Sequence, residues 1–420
     1  MIRFDWSDPA VRAAALARPR GRADPAMLAA VRAMLDEIRG EGWTALVRHA
    51  SAIDGAAPEL LPVAPFAAEA RQELTPEALQ AMRFAAHQIR AFHEQTIPSA
   101  VTVESRPGLR VSKLWRPLAR AGLYVPGGRA PLFSTLMMLA IPAQVAGVGE
   151  LVVATPPRPT GGLDPAIALA AELCGIEAIW TVGGAQAIAA LAYGAGAIPA
   201  VDRICGPGNA WVSAAKAMVS SDTGGPGIDL PAGPSELMVL SGVGGDPVTI
   251  AADLLSQAEH DADAQVLIVS SDAALLDAVG AELARQRAAL PGDVAPVRAL
   301  RCADLDEALA IANAYAPEHL SLACADAASR IDDVRNAGAV FVGAASGESF
   351  GDYLAGSSHV LPTDGAARFT GGVSTLTFLK AMTVQRLSAA TAASLAAPAA
   401  ALARLEGLEA HARAAEARAA

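Results

Sequence analysis

From Leu123 onward the chain repeats one pattern: a short apolar run, a turn rich in Gly, then a longer segment with helical spacing. A strand buried on both faces reads as a continuous apolar run, and returning the chain to a parallel neighbour takes a crossover, usually a helix. This alternation restricts the fold to parallel sheets covered by helices on both faces. Apolar runs at 151–154, 179–182 and 201–205 are the expected strands. Helices are expected at 134–145 (kinked at Pro142), at 164–174 behind Asp164-Pro165, and from Gly183-Gly184 to near Tyr193-Gly194. A second series begins near 236, with strands at 237–240, 266–269, 320–323 and 339–342. Its helices are expected from Asp246-Pro247 through Glu259, at 272–289 and at 305–314.

Two such series fit two α/β domains, since 420 residues exceed what one core usually organises. Before them, 25–48 reads as a helix with Leu28, Val31, Leu35 and Ile38 on one face, capped by Asp24 ahead of Pro25. A further helix is expected at 76–95, after which Pro107, Gly108 and Pro117 break the pattern. The stretch before 124 is expected to complete the second domain. Residues 385–420 are Ala-rich and read as helical, with no strand signal.

Composition removes several classes of function. Hydrophobic residues make up 53% of the chain, yet no apolar run approaches the ~20 residues of a membrane span. The start, Met1 to Trp6, lacks the shape of a signal peptide, so export is not expected. A net charge of −11 without a basic run argues against nucleic acid and anionic membranes as partners. Cys174, Cys205, Cys302 and Cys324 form no C-x-x-C pair and read as free thiols of a reducing, cytoplasmic compartment.

His49, His87 and His93 sit in helical stretches among polar neighbours and read as ordinary residues. Other histidines stand in richer settings. Gln257 and His260 are three apart and share a helix face, which suits a metal or simply a helix end. Glu318-His319 falls between a helix and a strand, where it is either a pair of bases or a turn. Residues 347–353 read as a Gly-rich loop after a strand, carrying Asp352 and followed by His359. The chain has neither G-x-G-x-x-G nor a P-loop; the Gly183-Gly184 turn could present a helix start to a pyrophosphate.

Taken in order, these segments resemble the histidinol dehydrogenase family from about residue 30 to about 385, and more loosely beyond. The resemblance rests on Leu123 to Gly128, Gly183 to Ala190, Gly206 to Asn209, Gly227 to Glu236, Leu254 to His260, Ala316 to Leu320, and Gly351 to Thr363. It implies two incomplete Rossmann-like parallel-sheet domains with small helical N- and C-terminal extensions. The implied parts are an extension over 1–23, an α/β domain of 24–123 plus 236–381 with zinc and acid/base residues, an NAD-binding domain over 124–235, and a helical arm over 382–420.

It further implies NAD-dependent four-electron oxidation of L-histidinol to L-histidine through a bound aldehyde, the last step of histidine biosynthesis. Zn2+ would be held by Gln257, His260, Asp352 and His411, with Glu318 and His319 as the acid/base pair. Ser235, His359 and Glu406 would contact substrate, with the zinc ligands and His319 bordering it, and Tyr124, Gln186 and Asn209 would surround NAD. The family's homodimer would share sites, His411 and Glu406 reaching across to the partner. Three departures stand out: Ser358 where the family usually has Asn, the Gly-rich 222–226 segment, and the missing Gly-Asp pair near Glu41-Gly42-Trp43. They leave room for a relative acting on another amino alcohol or diol. A zinc hydrolase or a non-catalytic zinc protein are the readings from other classes.

Overall fold

The structure is a computed structural model that describes residues 1–19, 24–127, 132–230 and 233–419. Gly128 of the expected turn, Pro231 and Ala232, and positions 20–23 of the N-terminal extension lie outside the described residues. The chain divides into two compact units: Met1–Thr96 with Ala119–Phe378, and Ile97–Leu118 with Leu379–Ala420.

The chain begins with β1 (Ile2–Asp5), α1 (Pro9–Ala15), α2 (Pro25–Glu41), α3 (Trp43–Ile53), β2 (Leu60–Pro62), α4 (Val63–Glu73) and α5 (Pro76–Gln95). A hairpin of β3 (Val101–Arg106) and β4 (Leu109–Pro117) follows. The first alternating series is β5 (Arg120–Tyr124), α6 (Phe133–Ala146), β6 (Glu150–Thr155), α7 (Pro165–Leu173), β7 (Ala178–Thr181), α8 (Gly184–Tyr193), β8 (Arg203–Cys205), α9 (Ala210–Ser221) and β9 (Gly227–Ile228). The second is β10 (Glu236–Ser241), α10 (Pro247–Ala258), β11 (Gln265–Ser270), α11 (Ala273–Arg287), β12 (Val297–Arg301), α12 (Leu305–Tyr315), β13 (His319–Ala323), β14 (Ala339–Val342) and α13 (Glu348–Tyr353). The chain closes with β15 (Leu379–Leu387), α14 (Ala389–Leu405) and α15 (Glu409–Glu416).

Several helices start on the same device. Asp8, Asp24, Asp164 and Asp246 each precede a Pro at the first helical position and accept a hydrogen bond from the second N–H of the helix. Such a cap stabilises by about 1 kcal/mol, and the Pro sits where a missing N–H costs nothing. The mixed α/β architecture with parallel sheets agrees with the expected fold class. The first sheet runs β2-β7-β6-β5-β8-β9 and the second β1-β12-β11-β10-β13-β14. In each, the series starts at a central strand, steps outward twice, then reverses to the other side. β10, β11 and β13 are buried at every position, which is why they were legible as apolar runs.

The structure differs from expectation in five places. The helix expected over 25–48 breaks at Gly42, whose φ of 61° is left-handed backbone that starts a new helix. These two helices do not complete the second domain as grouped under 24–123 plus 236–381. Val31, Leu35, Ile38 and Leu46 pack with Ile188, Leu191 and Val212 on the first sheet. The second sheet is completed instead by β1, paired parallel with β12, and neither strand has a run long enough to read. Residues 348–353 form the short helix α13 rather than a loop. The tail is not helical throughout, since β15 pairs antiparallel with β4, and β3 completes a three-stranded sheet of the second unit. The four cysteines are free and buried, as expected.

Candidate active site

The second sheet gathers its reactive groups where β10 and β13 begin. These strands run parallel with Leu237 opposite His319, so Glu236 lies beside Glu318. Glu236 donates its backbone N–H to Glu318 Oε2 at 2.8 Å, and Glu318 returns its own N–H to Glu236 Oε2 at 3.3 Å. His319 Nδ1 lies 3.0 Å from the Glu236 carbonyl oxygen. A carbonyl can only accept, so Nδ1 carries the proton and Nε2 of the neutral ring keeps its lone pair. That Nε2 is buried, has no hydrogen-bond partner, and lies 3.7 Å from Asp352 Oδ1. Phe341 stacks on the ring with centroids 5.9 Å apart. Burial pulls the His319 pKa down, against the opposing charge of Asp352. Burial also lifts Glu318 well above the ordinary carboxylate range; the Glu236 N–H opposes this and the neighbouring carboxylates add to it. Gly338 lets β14 come this close, because a Cβ there would sit 2.6 Å from the Glu318 carbonyl oxygen.

Parallel α/β sheets usually present their sites at the carboxyl ends of the strands. Glu318 and His319 stand at the amino end instead, opposite to the edge expected from that rule.

Gln257 lies in the last turn of α10 near this edge, and His260 follows just beyond the helix rather than on it. Gln257 is fully buried, and neither amide atom has a hydrogen-bond partner. An unsatisfied buried amide costs about 1–3 kcal/mol, so its orphaned oxygen fits a missing electrophile. His260 Nδ1 donates to the Ser256 carbonyl oxygen at 2.8 Å, which leaves Nε2 with a lone pair. An imidazole nitrogen, an amide oxygen and the Asp352 carboxylate are donor types that zinc accepts. Among the described residues no group of three or more His, Cys, Asp or Glu stands ready for a metal. A set in which one ligand is an amide leaves no such group in α10 and α13. Glu406 ends α14 and His411 lies on α15, both exposed, in the second unit.

His359 is tied on both sides. Its Nδ1 donates to the Asp352 carbonyl oxygen at 3.0 Å, and its Nε2 lies 3.1 Å from the Thr135 hydroxyl, which must be the donor. Burial depresses its pKa, and the charges of Asp352 and His260 both act on it. Ser235 is half-buried just before β10. Sequence reasoning missed Glu348, a buried carboxyl whose Oε1 lies 3.6 Å from His319 Nδ1 and whose oxygens both lack hydrogen-bond partners. Burial raises its pKa well above the usual range. Its only signal was a Glu inside a segment read as a loop.

The first sheet keeps its polar groups at the carboxyl ends of its strands. Tyr124 ends β5, and its hydroxyl oxygen accepts from Gly184 N–H at 3.1 Å. Burial pushes the Tyr124 phenol up to about 12, so it stays protonated. Gln186 donates to Asp54 Oδ2 at 3.1 Å, and Gly183 N–H donates to the same oxygen at 3.0 Å. The start of α8 is therefore already held by the Asp54 carboxylate. Asp54 was missed too, its only mark being an Asp-Gly pair after a helix. Asn209 caps α9, its Oδ1 accepting from Trp211 and Val212 N–H at 3.1 Å each. After β8, Lys216 donates to Gly206 O at 2.7 Å and pairs with Asp229, whose other oxygen accepts Gly206 N–H.

Two helix-covered, mainly parallel sheets, one gathering Glu318 and His319 at its amino edge and one with polar groups at its carboxyl edge, define an α/β protein with two Rossmann-like halves. The family model described as histidinol dehydrogenase matches residues 17–419. The chain belongs to the histidinol dehydrogenase family. It is 45% identical to the histidinol dehydrogenase of Xanthomonas euvesicatoria pv. vesicatoria over 98% of this chain and 97% of that one. It is also 45% identical to that of Thermus thermophilus, over 93% and 94% of the two chains. The crystal structure of histidinol dehydrogenase from Elizabethkingia anophelis superimposes with a TM-score of 0.94 at 35% identity, covering 100% of this chain and 98% of that one.

Proposed function

We propose that this chain catalyses the NAD-dependent four-electron oxidation of L-histidinol to L-histidine, as the last step of histidine biosynthesis. The observation that carries the proposal is the fixed tautomer of His319. Its Nδ1–H is held by the Glu236 carbonyl, and a buried, unpartnered Nε2 is left to take a proton. A base of this kind suits both oxidations, since each begins with loss of a hydroxyl proton. His319 takes that proton from the alcohol and again from the hydrated aldehyde. Glu318, whose carboxyl is raised by burial, takes the proton of the water that adds to the aldehyde. His359 and Ser235 border the substrate; to reach it, His359 Nε2 gives up the Thr135 hydroxyl.

Zinc would be held by Gln257, His260, Asp352 and His411 of the partner subunit, and when bound would anchor the amine and imidazole of the substrate. Tyr124, Gln186 and Asn209 border the place of NAD, the hydride acceptor. Glu406 of the partner subunit would pair with the substrate ammonium. The protein then works as a homodimer with shared sites, in the cytoplasm, with no nucleic acid or membrane as partner. No helix among the described residues is long and apolar enough to cross a membrane.

The test is the NADH yield from limiting L-histidinol in the zinc-loaded enzyme. Two NADH per histidinol is expected. One NADH with release of aldehyde, or no reaction with histidinol while another amino alcohol or diol turns over, would reject the proposal.

A further inference from the structure

Glu236 is an odd residue to open β10. The strand is buried at every position, and the Glu236 side chain is fully buried too. A lone buried carboxylate costs several kcal/mol unless its oxygens are matched by donors and its charge by a cation. Here both conditions hold. Arg18 Nε and Nη2 reach the two oxygens at 2.6 and 3.0 Å, and Glu318 N–H and Asp364 N–H donate at 3.3 and 3.1 Å. The main chain of the same residue holds Glu318 Oε2 and His319 Nδ1.

Arg18 has a second grip. Its Nη2 also donates to the Tyr315 carbonyl oxygen at 2.9 Å, and its guanidinium lies 3.7 Å above the Tyr315 ring. Tyr315 ends α12, immediately before Ala316, whose φ of 56° is left-handed backbone held by a non-glycine residue. Such a conformation persists only where its surroundings fix it. Arg18 thus holds the turn from Tyr315 to His319 at both ends, by the Tyr315 carbonyl and, through Glu236, by the Glu318 peptide.

We propose that Arg18 and Glu236 are a pair of positioning residues that clamp this turn and so aim Glu318 and His319. The inference rests on reading Glu318 and His319 as the acid/base pair. The clamp comes from the N-terminal segment, more than two hundred residues away in sequence, so the first residues of the chain belong to the working site.

The test uses zinc-loaded full-length enzyme as Arg18→Lys, Arg18→Met and the double variant Arg18→Met/Glu236→Gln, with His319→Asn as control. Oxidation of histidinol and of the aldehyde is followed separately, with zinc content, KM for NAD and Tm. A reacting group displaced by about 1 Å costs up to about a hundredfold. Arg18→Met should therefore lose roughly ten- to a hundredfold in kcat for both steps at unchanged zinc content and KM for NAD. Arg18→Lys, which keeps the charge, should recover part of that kcat. The double variant removes the uncompensated buried charge, so its Tm should return while its kcat stays low. Should the double variant regain kcat together with Tm, Arg18 is only a brace of the fold and the proposal fails. Wild-type kcat in folded Arg18→Met overturns it as well. If Arg18→Met does not fold, the double variant and Arg18→Lys decide by the same criteria. An active His319→Asn enzyme would instead overturn the acid/base reading and the clamp with it.

Discussion

The two sheets share a strand order yet gather their polar groups at opposite edges. In the first, Tyr124, Gly206 and the Gly183-Gly184 turn lie at the carboxyl ends of β5, β8 and β7. In the second, Glu236, Glu318 and His319 lie where β10 and β13 begin. Crossover helices run opposite to the strands they connect. Helix N-termini, with their partial positive charge, therefore gather at the carboxyl edge, and helix C-termini, partially negative, at the amino edge. A dinucleotide brings a pyrophosphate anion, which suits the first edge. Zinc and a substrate ammonium are cations, and the C-terminal end of α10, where Gln257 and His260 stand, suits them. One topology used twice can thus hold an anion on one sheet and cations on the other.

If the edges divide the work this way, their perturbations should separate. The largest effect is expected from metal removal. Chelation should abolish turnover while Tm and NAD affinity change little, because the clusters around Leu35 and Leu254 are apolar cores without metal groups. Added zinc should restore activity, and full turnover by rigorously metal-free enzyme would remove the cation from the amino edge. Next in size, His319→Asn should slow alcohol oxidation by roughly 10²–10⁴, the usual worth of a placed base. NAD affinity should be untouched. Glu318→Gln should slow aldehyde oxidation more than alcohol oxidation, and equal losses would reject that division of labour.

Gly206→Ala tests the other edge. The residue has φ +127°, and a Cβ there would lie 2.0 Å from the Tyr124 carbonyl oxygen. A strain of about 1–3 kcal/mol should lower Tm and raise KM for NAD. Zinc content should stay at the wild-type level; a loss of zinc would show that the edges are not independent.

A fourfold effect is expected from subunit mixing. His260→Ala and His411→Ala homodimers should each be nearly inactive. Random co-assembly should restore about a quarter of wild-type activity, since half the dimers are mixed and half of their sites are intact. No recovery in verified mixed dimers would place His411 in its own chain's site. The smallest effect belongs to Tyr124→Phe, which deletes the acceptor of the Gly184 N–H. A loss of about 0.5–1.5 kcal/mol, read as a few-fold rise in KM for NAD with kcat retained, is expected. A large fall in kcat instead would give Tyr124 a part in the chemistry.

What the sequence determined by itself was local or periodic. Buried parallel strands such as β10, β11 and β13 carry mostly apolar runs between polar ends, so they declare themselves. Asp-Pro pairs mark helix starts through a bond that closes within a few residues. The short motifs around Gln257, Glu318 and Asp352 named the family and its candidate residues. Only the tertiary structure decided which distant segments meet. β1 and β15 carry no run of their own and become strands because β12 and β4 offer free edges. Arg18 looks like any charged residue near an N-terminus until its guanidinium reaches Glu236, and Asp54 looks like a turn until it meets Gly183 and Gln186. Which strands start side by side was equally hidden. Glu318-His319 precedes its strand in the sequence, which already marks the amino end, but only the pairing of β10 with β13 sets Glu236 beside them.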